Sequence, residues 1–109
     1  MKYEDWLGFS PRGWHGILKK TFAKFSDDVK ILQVKEKFGG LRLYINSPNA
    51  KDHDVVRKAE SMCWYVCERC GTTLDVTTEP NPGRYWVKTL CGSCRAEEIE
   101  AYGLRTSGD

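Results

Sequence analysis

Apolar positions follow three different rhythms along this chain. Trp14, Ile17, Leu18, Phe22 and Phe25 recur at spacings of three and four, the stripe of one helical face, while Lys19, Lys20 and Lys24 fall on the other side. Ser10-Pro11 ahead of the stripe predicts a helix start, with serine as the cap and proline at the first helical position. Gly13 and Gly16 weaken the first turns and favour a later start. The segment Val29–Val34 is β-branched and apolar, Leu41–Ile45 alternates, and Gly39-Gly40 between them gives the backbone freedom of a hairpin turn. Strand parity places Leu32, Val34 and Phe38 on one face and Ile31, Gln33, Lys35 and Lys37 on the other. The expected pairing buries the Leu/Val/Ile set, with Leu43 and Ile45, and exposes Gln33, Lys35, Lys37, Arg42 and Tyr44. After a loop, a second helix is expected from about Asp52 or Asp54 to Cys67. Its apolar face, Val55, Val56, Ala59, Met62, Cys63 and Val66, covers the hairpin.

From Cys67 the rhythm changes. Thr72–Thr78 is rich in β-branched residues, Asn81-Pro82-Gly83 reads as a turn, and Arg84–Leu90 reads as a returning strand. A short charged helix, about Arg95 to Tyr102, is expected to end at Gly103, with a loose tail from Leu104. The fold class is therefore α+β: helix, β-hairpin, helix, then a two-stranded zinc ribbon and a short C-terminal helix. Residues 1–109 are read as one domain, an α+β unit at 1–66 and a ribbon unit at 67–103.

The chemistry sits in the cysteines. Cys67-x-x-Cys70 and Cys91-x-x-Cys94 are matched pairs separated by twenty residues. Each pair lets two thiolates approach one ion from a tight turn, and Gly71 and Gly92 relieve the backbone there. Four soft thiolates suit one structural Zn²⁺; a redox pair needs a βαβ context that two such pairs argue against, and an iron–sulfur cluster also takes four cysteines. A site with four protein ligands has no open position, so its expected role is to hold the fold. Cys63, one helical turn before Cys67, is either a small buried residue or a spare ligand.

Composition narrows the rest. Of 109 residues, 40% are apolar and 29% charged, the proportions of a globular chain. Without a signal peptide or a membrane-length apolar run, the expected location is a reducing cytoplasm, where cysteines serve as ligands rather than disulfides. Residues 1–51 hold ten Lys/Arg against five Asp/Glu, and residues 52–109 hold seven against ten. With four zinc-bound thiolates the formal charge falls to about zero, which argues against tight non-specific nucleic-acid binding. No nucleophile elbow, phosphate loop or paired carboxylate appears, and no histidine follows the first CxxC pair, so an enzyme is not expected. His15 and His53 read as residues of helix starts. Glu36 reads as a structural ion pair near the turn rather than a functional carboxylate.

Five blocks together carry a resemblance: Gly13-Trp14-His15-Gly16-Ile17-Leu18, Gln33 to Tyr44 with its Val-Lys-Glu-Lys-Phe-Gly-Gly-Leu-Arg core, Ala59-Glu60-Ser61, Cys67-Glu68-Arg69-Cys70-Gly71, and Trp86-Val87-Lys88-Thr89-Leu90-Cys91. They resemble a family of small zinc-ribbon proteins of bacteriophages, prophages and mobile elements, over roughly Gly13 to Ala96. The resemblance implies a metal site, a bacterial host cytoplasm, and His in place of Cys94 in some relatives. It also implies a role in binding a host protein, as an inhibitor or modulator of machinery such as a CRISPR defence complex or RNA polymerase. Lys35, Lys37, Arg42 and Tyr44 are the candidate partner-binding residues, with Tyr65, Tyr85 and Trp86 as further aromatic anchors; Trp86 packed beside the knuckles is the competing placement. The alternative function is a nucleic-acid-binding ribbon that uses the basic N-terminal half and Tyr44.

Overall fold

A computed structural model describes residues 3–81 and 86–107, the side chains of 102–107 excepted. Two short 3-10 turns, Tyr3–Phe9 and Arg12–Trp14, lead into α1, His15–Lys24. An antiparallel hairpin follows, β1 (Lys30–Lys37) and β2 (Gly40–Asn46), then α2 (Ala50–Met62), a 3-10 turn at Cys63–Tyr65, and a second antiparallel hairpin of β3 (Val76–Pro80) and β4 (Val87–Cys91). The last helix, α3, spans Gly92–Ser107. The arrangement is α+β, with the two hairpins forming separate two-stranded sheets.

The expected turn Asn81-Pro82-Gly83 and the start of its returning strand fall mostly outside the described residues, as does Tyr85. Within them, the helix boundaries move. Ser10 does not cap α1; its hydroxyl donates to the Leu7 and Pro11 carbonyls, and α1 begins at His15, after Gly13 and with Gly16 in its first turn. The second helix stops at Met62, not Cys67, because the chain tightens to 3-10 geometry before the first knuckle. The third starts at Gly92 rather than Arg95 and runs through Gly103, so the expected stop there is not used.

The main core is hydrocarbon. Trp14, Leu18 and Leu41 are fully buried or nearly so, and Ile17, Phe22, Val34, Leu43, Val56 and Ala59 close around them. The strand parity needs one correction. Ile31 pairs with Ile45 but Gln33 pairs with Tyr44, so Leu32 is an extra residue, a β-bulge. The bulge turns Ile31 inward together with Val34, and Leu32, expected inside, is 54% exposed. Phe38, also expected inside, sits in the turn at φ 54° and is 69% exposed. Met62 is likewise exposed rather than buried.

Side chains of α2 and of the 3-10 turn after it seal the free edge of β2, which a two-stranded sheet would otherwise leave open. Leu41 N–H donates to Cys63 Sγ at 3.3 Å and Leu43 N–H to Glu60 Oε2 at 3.0 Å. At the other end, Asp52, expected only as a possible start of the second helix, is fully buried. It accepts from Ser26 N–H (2.9 Å), Ser26 Oγ (2.6 Å) and Ser47 Oγ (2.7 Å), and so ties the end of α1 to the loop before α2.

Those donors, the Ser26 hydroxyl foremost, hold the Asp52 carboxyl down at about 2 against the raising effect of burial. Its contribution to stability is therefore present above pH ~4, the ordinary carboxylate value, and disappears as pH falls toward 2. Urea denaturation at a series of pH values should show stability declining across that interval, and Asp52→Asn should flatten the decline while lowering stability at neutral pH. A second expectation concerns Gly13. A Cβ there would lie 2.0 Å from the Cys67 carbonyl oxygen, so Gly13→Ala should destabilise the fold by roughly 2 kcal/mol or more in the same assay.

Candidate metal centre

The first knuckle leaves the Cys63–Tyr65 turn and closes on itself. Gly71 N–H donates to the Cys67 carbonyl at 2.9 Å, Cys67 N–H to the Thr72 carbonyl at 2.9 Å, and Cys70 N–H reaches Cys67 Sγ at 3.5 Å. Gly71 takes φ +84°, the left-handed conformation that glycine tolerates, and its backbone lies against Gly13. The second knuckle joins β4 to α3: Cys91 ends the strand, Cys94 lies in the first helical turn, and Cys94 N–H points at Cys91 Sγ at 3.4 Å. The positive end of the α3 dipole thus faces the sulfurs. Gly92 N–H donates to the Asp75 carbonyl at 3.1 Å, and a Cβ on Gly92 would collide with the Asp75 carboxylate.

The Sγ atoms of Cys67, Cys70, Cys91 and Cys94 all lie within 4.8 Å of one another. Cys70 and Cys91 stand at 3.8 Å, which is the edge of a tetrahedron built on Zn–S bonds of ~2.3 Å. Four thiols at this separation, supplied with backbone N–H donors, can hold a metal ion. Cys67, although burial opposes ionisation, is pulled down to about 6 by the N–H groups of Cys70, Cys91 and Arg69. Cys94 is pushed the other way, by burial and by the neighbouring sulfurs. One thiolate forms readily at neutral pH and its charge resists the next, so a cation is what lets all four ionise together.

Cys63 is not among the four. It is fully buried in the hydrocarbon core, donates to the Glu60 carbonyl at 2.9 Å and accepts from Leu41 N–H; burial pushes its thiol up. The sulfurs form a second, smaller core of their own, in which Leu90 and half-buried Val76 are the only hydrocarbon side chains among the described residues. So little apolar surface gives this half of the chain a weak hydrophobic basis, which an ion held by the four sulfurs would strengthen.

Polar side chains lock the centre to the rest of the molecule. Thr89, fully buried, donates from Oγ1 to the Gly39 carbonyl at 2.6 Å and meets Thr78 Oγ1 at 2.8 Å. The Glu68 N–H donates to the Thr89 carbonyl, while Thr89 N–H donates to Glu68 Oε2. Burial pushes that carboxyl up to about 7. Arg95, read from sequence only as a charged helix residue, is buried and donates to the Thr77, Glu79 and Lys88 carbonyls and to Asn81 Oδ1. It clamps α3 to the second hairpin. No sequence signal separates it from a solvated arginine.

Lys35, Lys37, Arg42 and Tyr44 lie on the first hairpin, away from the sulfurs. Lys35 is opposite Arg42, and its ammonium sits 5.5 Å from the Tyr44 ring centre. Lys37 reaches over the Phe38 ring at 5.6 Å. Trp86 is 70% exposed, not packed on the knuckles, and with Phe38 lines a shallow cleft beside Lys37 and Lys88. The Phe38–Trp86 pair was hidden to the parity reading; the signal for it was the following Gly39-Gly40, which puts Phe38 at the turn. His15 and His53 each contact a backbone carbonyl of the loop before their helix, Ser10 and Ser47 respectively. Glu36 accepts from Gly39 N–H at 2.7 Å and so braces the turn, in place of the expected ion pair.

Removing a sulfur should separate ligand from core. Cys70→Ser should lower bound metal, measured by elemental analysis of the purified chain, and chelation should destabilise the wild type. Cys63→Ala should leave the metal content unchanged and lower stability by about 1–3 kcal/mol, through the lost partner of Leu41 N–H. Equal metal loss in both variants would contradict the assignment.

No helix among the described residues is long and apolar enough to cross a membrane. Compared with protein-family models, with curated proteins and with solved structures, the chain matches none.

Proposed function

We propose that this chain is a small non-enzymatic zinc protein that binds a protein partner. The observation that carries the reading is the four-sulfur cluster, with Cys67, Cys91 and Cys94 buried and Cys70 exposed, together with a separate surface that spends aromatic side chains on solvent. Zinc is the ion proposed because four thiolates at tetrahedral spacing suit it best. With all four positions taken by protein, the ion has no site for substrate, which supports a structural rather than a catalytic role.

The docking face proposed is the outer side of the first hairpin, Lys35, Lys37, Arg42 and Tyr44, extended by Phe38 and Trp86. A phenylalanine held at positive φ with its ring in water is unfavourable in an isolated protein, and a partner surface removes part of that penalty. Given the resemblance of the sequence blocks, the partner proposed is a host protein in a bacterial cytoplasm, and the chain an inhibitor or modulator of machinery such as a CRISPR defence complex or RNA polymerase. One observation favours a second reading. Lys35 over Tyr44 and Lys37 over Phe38 form cation-flanked rings on which unpaired bases can stack.

Affinity capture of the tagged protein from bacterial lysate, with and without nuclease, distinguishes the two. A stoichiometric protein that survives nuclease and is lost with Tyr44→Ala or Trp86→Ala supports protein docking. Capture that vanishes with nuclease and weakens steeply with salt supports nucleic acid instead. Elemental analysis should give about one zinc per chain; a folded, metal-free protein would overturn the premise.

A further inference from the structure

On the opposite element pair, α1 and α2 lie side by side and leave a groove of about 480 Å³. Its floor is apolar: Ile17 from α1, and Val55, Ala59 and Met62 from α2, with Val66 beyond. The α2 residues recur at helical spacing, so this helix has an apolar stripe wider than the hairpin beneath it covers, and Met62 stands half out of the protein. Gly16 opens onto free space, where any side chain would partly fill the groove.

The rim carries one sign of charge. Lys20, Lys24 and Lys58 line the groove, and an adjoining cleft shares Lys24 and Lys58 and adds Lys51. None of these four lysines has an ion-pair or hydrogen-bond partner among the described residues. Among the described residues that line the two cavities the only carboxylate is Asp54, in the adjoining cleft, and it is already paired with Arg57. An apolar floor between two helices, rimmed by unpaired cations, is complementary to a third helix with an apolar face and acidic flanks.

We infer that the α1–α2 groove docks an amphipathic helix of a protein partner, its apolar stripe on Ile17, Val55 and Met62 and its acidic side chains on Lys20, Lys24 and Lys58. The floor disfavours a phosphate backbone, which needs polar contacts along its length. The rim disfavours a basic helix. This site is separate from the hairpin face.

The test uses a labelled helical peptide of Leu and Glu with its leucines on one face. Comparison probes are a scrambled peptide of the same composition, a Leu/Lys counterpart, and a single-stranded oligonucleotide. The acidic amphipathic peptide should bind at least about tenfold more tightly than the other three. Gly16→Phe, which fills the groove, and Lys20→Glu with Lys58→Glu, which reverses its rim, should each weaken that binding about tenfold or more, with melting temperature and metal content unchanged. Tyr44→Ala should leave it unchanged, so the groove and the hairpin face stand or fall separately. Equal affinity for the scrambled peptide, preference for the oligonucleotide, or self-association that Gly16→Phe abolishes would each overturn the assignment.

Discussion

Four sulfur atoms crowded within 4.8 Å are the constraint on which this molecule turns. Left to themselves they repel as they ionise; with a cation among them they become the strongest fixed point in the chain. Everything in the C-terminal half is arranged around that point. The knuckles set the ends of the second hairpin, the second knuckle starts α3, and Arg95 then fastens α3 back across both strands. The hydrocarbon half does not need the ion for its own packing, but it is joined to the cluster at short range. Gly13 N–H donates to the Glu68 carbonyl at 2.8 Å, and the Trp14 indole donates to the Val66 carbonyl at 2.9 Å.

Much of this was legible in the residues, and the reasons differ by element. The cysteine pairs were plain because metal ligation imposes a spacing that little else demands. The first hairpin and the α2 face were plain because burial on one side leaves a periodic trace. The bulge at Leu32 was not, because alternation cannot show where a strand takes one extra residue; only the partner strand reveals it. The burial of Asp52 and of Arg95 was not legible, for a common reason. Each is a charged residue whose burial depends on partners far away in the chain, Ser26 and Ser47 for one, Thr77 and Lys88 for the other. Local sequence carries no mark of those partners.

Several of the sequence blocks described above are places where segments of the chain touch. Gly13-Trp14 lies on Cys67-Glu68, Gly39 lies on Thr78, Val87 and Thr89, and Gly40 lies under the Trp64 ring. A Cβ at Gly40 would come within 2.7 Å of that ring. Gly13 and Gly40 are needed for room, whereas Gly39, at φ +80°, is needed first for its backbone conformation. This gives a physical reason for the composition of the blocks, independent of any relationship between proteins.

The separation of the hydrocarbon core from the sulfur core also has a kinetic side. The larger core contains no ligand, so it is free to assemble before an ion is captured, and in doing so it positions Cys67 and Cys70 through Gly13 and Trp14. The second pair of sulfurs sits at the end of the later hairpin, so an ion held by all four would act as a clasp that shuts only once that hairpin is in place. A clasp of this kind would change the rate of folding little and slow the rate of opening, so a bound ion would govern the lifetime of the folded chain more than the speed with which it forms.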